Sequence, residues 1–379
     1  VTHFFKLFCL LLLLLPSFSA FAAIPTPAPP EVSGSGHLLI DFTSGQVLSE
    51  DHANERLEPA SLTKIMTAYV VFRELTEGNL KLADEVLVSE KAWRTQGSRM
   101  FIEVGKKVSI EELLKGMIIQ SGNDASVALA EHIAGSEETF ATVMNAHAQR
   151  LGMINTNFVN ATGLPHPDHY TTAEDIAKVA IATVHEFPEF YKWYAIKSYK
   201  FNNINQHNRN KLLWRDDAVD GMKTGHTEAA GYCLVASALK DGMRLVSVVM
   251  GTESEEARAV ESLKLLNYGF RFFETHKLYG AGETLSSSKV WKGASEQLPV
   301  GIEHDLNITI PRNQYDNLNA SMHLNEPLIA PINKGQQVGE VVIELSGETL
   351  TRLPLVALKD IEEDGIIGRT IDHFMLMLE

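Results

Sequence analysis

Ser61 and Lys64 stand three residues apart in Pro59-Ala60-Ser61-Leu62-Thr63-Lys64, where a helical pattern of apolar residues begins. Positions i and i+3 share one helix face, so the serine hydroxyl and the lysine amine can meet on one side of the first turn. A free hydroxyl is a weak nucleophile, and an adjacent amine that takes its proton activates it. The unpaired N–H groups of a helix N-terminus also favour negative charge developing there. By composition a chain of this length holds about one or two S-x-x-K matches by chance. Ser286 with Lys289 is such a second match.

Two further groups accompany the first pair. Ser121-Gly122-Asn123 is the single S-x-N of the chain and closes an apolar-striped helix. A hydroxyl can relay a proton between Lys64 and a leaving amine; a carboxamide can donate to a substrate carbonyl and accept from the lysine. Lys223-Thr224-Gly225 is also unique, and is read as the start of a strand. Lysine and threonine offer a cation and a hydroxyl to a substrate carboxylate. Gly225 leaves the strand wall bare, so a peptide can lie along it as an added strand. The N–H of His226 can then join that of Ser61 as an oxyanion hole. Taken singly, each group is more simply a helix-end signal or a solvated strand end.

These residues need elements to hold them. His37–Asp41 and Gln46–Ser49 flank Thr43-Ser44-Gly45 as a hairpin. From Pro59 to about Thr183 the pattern is mostly helical. A capping box stands at Ser109-Ile110-Glu111-Glu112, and the stripe Ile110, Leu113, Leu114, Met117 and Ile118 follows it. Residues 160–170 read as a loop. Tyr232–Leu239 and Arg244–Met250 are strands joined by Lys240-Asp241-Gly242, and Glu255–Phe273 is a long helix. Strands distant in sequence must therefore share one antiparallel sheet with helices on it, an α/β arrangement. Residues 280–360 carry short alternating runs separated by Pro, Gly and Asn, as in a small all-β sandwich. Residues 361–379 end in a helix with Ile367, Ile371, Phe374, Met375 and Leu378 on one face, suited to a membrane interface. Its polar face sets only Arg369 and His373 against Asp372 and Glu379, so it lacks a basic surface for anionic lipid.

The 379 residues carry a formal net charge of -15 and no long basic run, which argues against nucleic acid as a partner. Residues 1–22 read as a cleaved signal peptide: Lys6, the apolar run Phe8–Leu15, then Ala20-Phe21-Ala22. Residues 23–34, rich in proline, read as a flexible leader before a catalytic domain of 35–279. Cys9 falls in the signal, so Cys233 is left without a disulfide partner and reads as a packed thiol. His166, Asp168 and His169 cluster in one loop, but no H-E-x-x-H pattern occurs and serine chemistry needs no metal or other cofactor.

The order S-x-x-K, S-x-N, K-T-G is the set associated with penicillin-binding proteins and class A β-lactamases. With the export signal, the segment Asp220–Thr227, the β domain and the terminal helix, the chain resembles the serine-type D-alanyl-D-alanine carboxypeptidases among low-molecular-mass penicillin-binding proteins. The resemblance implies a β-lactamase/transpeptidase-like fold: an antiparallel sheet with helices on both faces and a helical subdomain. It implies that Ser61 attacks the bond between the last two D-alanines of a peptidoglycan stem peptide, D-alanine leaving and water hydrolysing the acyl-enzyme. Lys64 would be the base, with Ser121 relaying the proton and Asn123 positioning the substrate. Lys223, Thr224, Gly225 and His226 would bind the substrate, with Arg209 and Arg258 as further carboxylate partners. β-Lactams should acylate Ser61 as well. The implied location is the periplasmic face of the inner membrane, with the terminal helix as peripheral anchor. A β-lactamase is disfavoured by Gly122 and by the lack of a clear deacylating glutamate in 160–170. A D,D-endopeptidase remains open, and a non-catalytic binding module is disfavoured by the intact motifs.

Overall fold

The computed structural model describes residues 26–378. The signal peptide expected at 1–22, Cys9 within it, and the start of the leader lie outside the described residues. Five antiparallel strands form the central sheet: β1 (Gly36–Asp41), β2 (Val47–Asp51), β3 (Val219–Thr227), β4 (Gly231–Lys240) and β5 (Met243–Thr252). Their order is β2-β1-β5-β4-β3, so the N-terminal hairpin joins strands from two hundred residues further on. The β4–β5 turn places Asp241 and Gly242 both at positive φ, as a two-residue hairpin matching strand twist requires.

Alternation along the inner strands feeds two cores. Cys233, Val235, Val246, Val248 and Met250 pack among the helices on one side of the sheet. Leu234, Ala236, Ala238, Leu245 and Val249 meet the opposite face. The first side holds α1 (Thr63–Thr76), α2 (Ile110–Lys115), α3 (Asn123–Ala134), α4 (Glu137–Arg150) and α5 (Ala173–Glu186); the second is covered by α6 (Glu255–Phe272). The capping box before α2 forms as expected, and Thr172 caps α5 through the Asp175 N–H.

The K-T-G segment was expected to open the strand of Tyr232. It lies instead inside its own nine-residue strand, β3, at the edge of the sheet, with Lys223 opposite Val235. No apolar alternation announces β3, because Asp220, Lys223, Thr224 and His226 are polar residues serving a site rather than a core.

The second domain comprises β6 (Phe273–Tyr279), β7 (Ser286–Trp291), β8 (Gln297–Gly301), β9 (Leu306–Pro311), β10 (Leu318–Leu324), β11 (Leu328–Ile329), β12 (Gln337–Leu345) and β13 (Glu348–Ala357). A six-stranded sheet, β10-β12-β13-β8-β7-β11, and the β6–β9 pair share one apolar core. Two expected boundaries shift. Phe273–Tyr279, read as the tail of the catalytic domain, pairs with Leu306–Pro311 and so belongs to the β domain; it follows α6 without any compositional break. Ile361, read as the start of the anchor, bridges to Ile332 and is buried, and the terminal helix α7 spans Ile366–Leu376. The described part of the leader is also held: Lys264 Nζ and Tyr268 Oη of α6 donate to the carbonyls of Glu31 and Pro27.

Asp41 joins the domains. Its buried carboxylate accepts from Thr43 N, Ser44 N and Ser44 Oγ through Oδ1, and from Thr275 Oγ1 of the β domain through Oδ2 at 2.8 Å. Ser44 Oγ in turn meets Thr309 Oγ1 at 2.6 Å.

Candidate active site

Ser61 sits in a single 3-10 turn, Ala60–Leu62, that precedes α1 rather than in the α-helix proper. Ala60 has φ 46°, a conformation an alanine adopts at a cost, and such strain concentrates where a side chain must be aimed. The turn is held from both sides by glycines. A Cβ on Gly163 would lie 1.8 Å from the Ala60 carbonyl oxygen, and one on Gly225 would lie 3.3 Å from Ser61 N. Gly225 therefore lets β3 pass close by the nucleophile.

Lys64 is buried one turn on, and its Nζ has three partners: Ser61 Oγ at 2.9 Å, Asn123 Oδ1 at 2.7 Å and the Thr162 carbonyl at 2.5 Å. Two of these are carbonyl oxygens that can only accept. They fix two N–H directions, so a neutral amine must turn its lone pair to the Ser61 hydroxyl. Burial, and next the positive charge of Arg209, lower the Lys64 pKa to about 7, against an opposing pull from Asp124 and Glu137. The lysine is thus a usable proton acceptor near neutrality.

Asn123 begins α3, and its Nδ2 donates to the Gln96 carbonyl at 2.6 Å, which fixes the carboxamide with its oxygen toward Lys64. Ser121 has a left-handed backbone, φ 67°, at the end of the π-helical turn Gly116–Gln120. Its Oγ accepts from Lys223 Nζ at 2.9 Å, and the same amine donates to the Thr224 carbonyl. The hydroxyl expected to partner Lys64 is thus bonded to the other lysine. Burial first, then the charges of Lys64, Arg209 and Arg258, hold the Lys223 pKa well below the usual lysine range.

These side chains surround a cavity of about 140 Å³ lined by Ser61, Ser98, Ser121, Arg209, Thr224, Gly225, His226, Tyr232, Glu255 and Arg258. Lys64 and Lys223 are both buried and stand behind Ser61 and Ser121. The groups that open directly onto the cavity with affinity for a carboxylate are therefore Thr224, Arg209 and Arg258. Arg258 is 4% exposed, donates from Nη1 to the Gly225 carbonyl at 3.0 Å, and lies over the Tyr232 ring. Arg209 is exposed and is anchored by Nε on the Gln120 carbonyl. The His226 and Tyr232 rings stack at 3.9 Å between centroids.

Sequence reading missed Thr162, Ser98 and Glu255. Thr162 contributes a backbone carbonyl, which no side-chain pattern reveals; its only trace is Asn160, whose Oδ1 gathers Thr162 N, Thr162 Oγ1 and Gly163 N into a tight loop. The loop of His166, Asp168 and His169 is occupied otherwise. His169 is buried, with Nε2 against Thr63 Oγ1 and Nδ1 accepting from Val159 N. Among the described residues no group of metal-ligating side chains converges. Cys233 is buried, and burial pushes its thiol up to about 11, so it is inert as a nucleophile. Ser286 and Lys289 lie on strand β7, away from any catalytic partner.

Comparison with known proteins agrees with this architecture. Residues 23–254 match the family model described as D-alanyl-D-alanine carboxypeptidase, and residues 273–363 match that of the penicillin-binding protein 5 C-terminal domain. D-alanyl-D-alanine carboxypeptidase DacC of Escherichia coli is 46% identical over 366 residues, covering 94% of this chain and 92% of that protein. DacA of the same organism is 42% identical over 359 residues, covering 93% and 89%. Penicillin-binding protein 5 from Haemophilus influenzae superposes with a TM-score of 0.87 at 42% identity, over 89% of this chain and 100% of that one. The chain belongs to the D-alanyl-D-alanine carboxypeptidase family, as a low-molecular-mass penicillin-binding protein with a β-rich C-terminal domain.

Proposed function

We propose that this chain is a serine D-Ala-D-Ala carboxypeptidase that removes the terminal D-alanine of peptidoglycan stem peptides, and that β-lactams acylate it at the same serine. The observation that carries this reading is the pairing of two buried lysines, each with its pKa lowered chiefly by burial, with two serines that line one cavity.

Ser61 Oγ attacks the penultimate carbonyl while neutral Lys64 takes its proton, held in place by Asn123 and Thr162. The oxyanion meets the N–H groups of Ser61 and His226, and the substrate lies along the edge of β3. Its carboxylate meets Thr224, Arg209 and Arg258, with the Lys223 charge behind them. The Ser121 hydroxyl, whose oxygen already accepts from Lys223, relays the proton from Lys64 to the leaving amine, giving its own proton to the nitrogen and taking the lysine's in return. D-Alanine departs, and water cleaves the ester on Ser61.

The chain is exported behind a signal peptide, acts on the periplasmic side, and rests on the inner membrane through α7. Supporting the last point, Ile367, Ile371 and Phe374 are 79%, 55% and 63% exposed, so the apolar face of α7 has no partner within the described chain. No helix among the described residues is long and apolar enough to cross a membrane.

The test incubates the protein with a peptide ending in D-Ala-D-Ala and, separately, with labelled penicillin. Release of D-alanine and a covalent adduct are expected from the natural chain, and neither from Ser61→Ala. Activity surviving in Ser61→Ala would sink the reading.

A further inference from the structure

The loop that offers the Thr162 carbonyl to Lys64 is clamped from two sides. From α1, Lys64 Nζ donates to Thr162 O at 2.5 Å and Thr67 Oγ1 to Ala161 O at 2.8 Å. From α4 the same segment is gripped twice. Asn145 exchanges two hydrogen bonds of 2.8 Å with the N–H and carbonyl of Phe158, and Glu137 Oε1 accepts from Ala161 N at 3.1 Å. Ala161 and Thr162 are both buried, so the N–H that Glu137 takes has no water to turn to.

Glu137 is the charged member of this clamp. It opens α4, where a helix N-terminus suits an anion, and its side chain is only 12% exposed. Its second oxygen, Oε2, pairs at 3.1 Å with Lys91 Nζ, and that amine also reaches Glu138 Oε1 at 3.0 Å. Lys91 and Glu138 are exposed, and Lys91 stands on the short helix Glu90–Arg94. A chain of contacts thus runs from solvent to the nucleophile: Lys91, Glu137, Ala161, Thr162, Lys64, Ser61. Neither Lys91 nor Glu137 lines the catalytic cavity.

Resting on the carboxypeptidase reading with Lys64 as its base, we propose that Glu137 is a positioning residue that aims the Thr162 carbonyl at Lys64 and, together with Lys91, sets the pH range in which the enzyme is acylated. The two roles are separable. The first needs only an acceptor for Ala161 N, which a neutral carboxamide also supplies. The second needs the charge. Burial and then Arg209 lower the Lys64 pKa to about 7, and Asp124 and Glu137 oppose them by favouring the lysine cation. Asp124 does so from the interior, held by the N–H groups of Met100, Phe101 and Ile102, whereas Glu137 has a counter-charge in solvent. The other groups near Lys64 are His169, whose pKa falls to about 4 chiefly through burial, and Lys223, held well below the usual lysine range chiefly by burial. Around Lys91, Arg94 is paired with Glu90, and Glu131 accepts from Ser89 Oγ. Lys91 therefore offsets the Glu137 charge as Lys64 feels it, so the two surface-side groups act on Lys64 with opposite signs.

The test follows acylation by a fluorescent penicillin from pH 5 to 9 in the natural chain, Glu137→Gln, Glu137→Ala and Lys91→Met. Glu137→Gln keeps an oxygen for Ala161 N without the charge. Its rate at pH 8 should stay within about twofold, while the midpoint of its profile moves down by about half a pH unit, making it about threefold faster at pH 5. Lys91→Met should move the midpoint up by a similar amount, and the double variant Lys91→Met/Glu137→Gln should fall between the two. Glu137→Ala releases the loop and should lose about tenfold even at pH 8, where Lys64 is already mostly neutral. Equal rates in Glu137→Ala and Glu137→Gln at pH 8 would overturn the positioning role. Midpoints that coincide, or that move the same way in Glu137→Gln and Lys91→Met, would overturn the charge role, and these two variants decide it even if Glu137→Ala does not fold. A natural chain that penicillin does not acylate at any pH would instead sink the carboxypeptidase reading, and this inference with it.

Discussion

The depressed pKa of Lys64 makes a quantitative demand on the acylation step. Lys64 has a pKa of about 7, burial being the main cause and Arg209 the next. If its neutral form accepts the Ser61 proton, the acylation rate follows the neutral fraction. That fraction is about 1% at pH 5, half at pH 7 and about 90% at pH 8. Acylation by a fluorescent penicillin, followed by stopped flow, should therefore rise about 50-fold from pH 5 to 7 and less than about twofold above that. Arg209→Gln removes a positive charge that disfavours the lysine cation. The lysine pKa then rises, the midpoint moves to higher pH, and the loss is greatest on the acid side. A flat profile from pH 5 to 8, or a midpoint moving to lower pH in Arg209→Gln, would refute Lys64 as the proton acceptor. The same shift has a sign in stability. Between the folded value of about 7 and the usual value near 10.5 the unfolded chain binds the extra proton, so Lys64 makes the fold more stable as pH rises through that window. Urea melts across it report this separately from catalysis.

Three other outcomes follow from the geometry. Asn123→Ala removes an acceptor from buried Lys64 and a donor to Gln96; it should cost roughly 1–3 kcal/mol in thermal melts and lower kcat for D-alanine release more than it raises KM. Gly163→Ala forces a side chain into the Ala60 carbonyl at φ 82°, and should destabilise the chain by roughly 1–3 kcal/mol while slowing penicillin acylation through the displaced Ser61 turn. Removal of residues 365–379 should shift the protein from membrane to soluble fractions on cell fractionation with D-alanine release unchanged; unchanged fractionation would end the anchor reading.

The reactive side chains were legible because each must sit at a fixed offset on a regular element. Ser61 and Lys64 share a helix face, and Lys223 and Thr224 adjoin on a strand. The two-faced sheet was legible from the apolar runs of β4 and β5. What escaped has no local signature. Thr162 acts through its carbonyl, and Ser98 and Glu255 reach the cavity only through tertiary packing. The pairing of Ser121 with Lys223 rather than Lys64 depends on how β3 docks against the left-handed turn at Ser121. The domain boundary at Phe273 was hidden because α6 runs directly into β6, and only pairing with β9 reveals the change of allegiance.

The Asp41 junction has a mechanical consequence. One buried carboxylate closes the turn of the first hairpin and at the same time takes the hydroxyl of Thr275, while Ser44 clasps Thr309. Bending between the domains would take the Thr275 hydroxyl away from a buried charge. The junction therefore resists bending between the two domains. The placement of Ser61 relative to the β domain is thus set by a buried hydrogen-bonded junction and not by a flexible link.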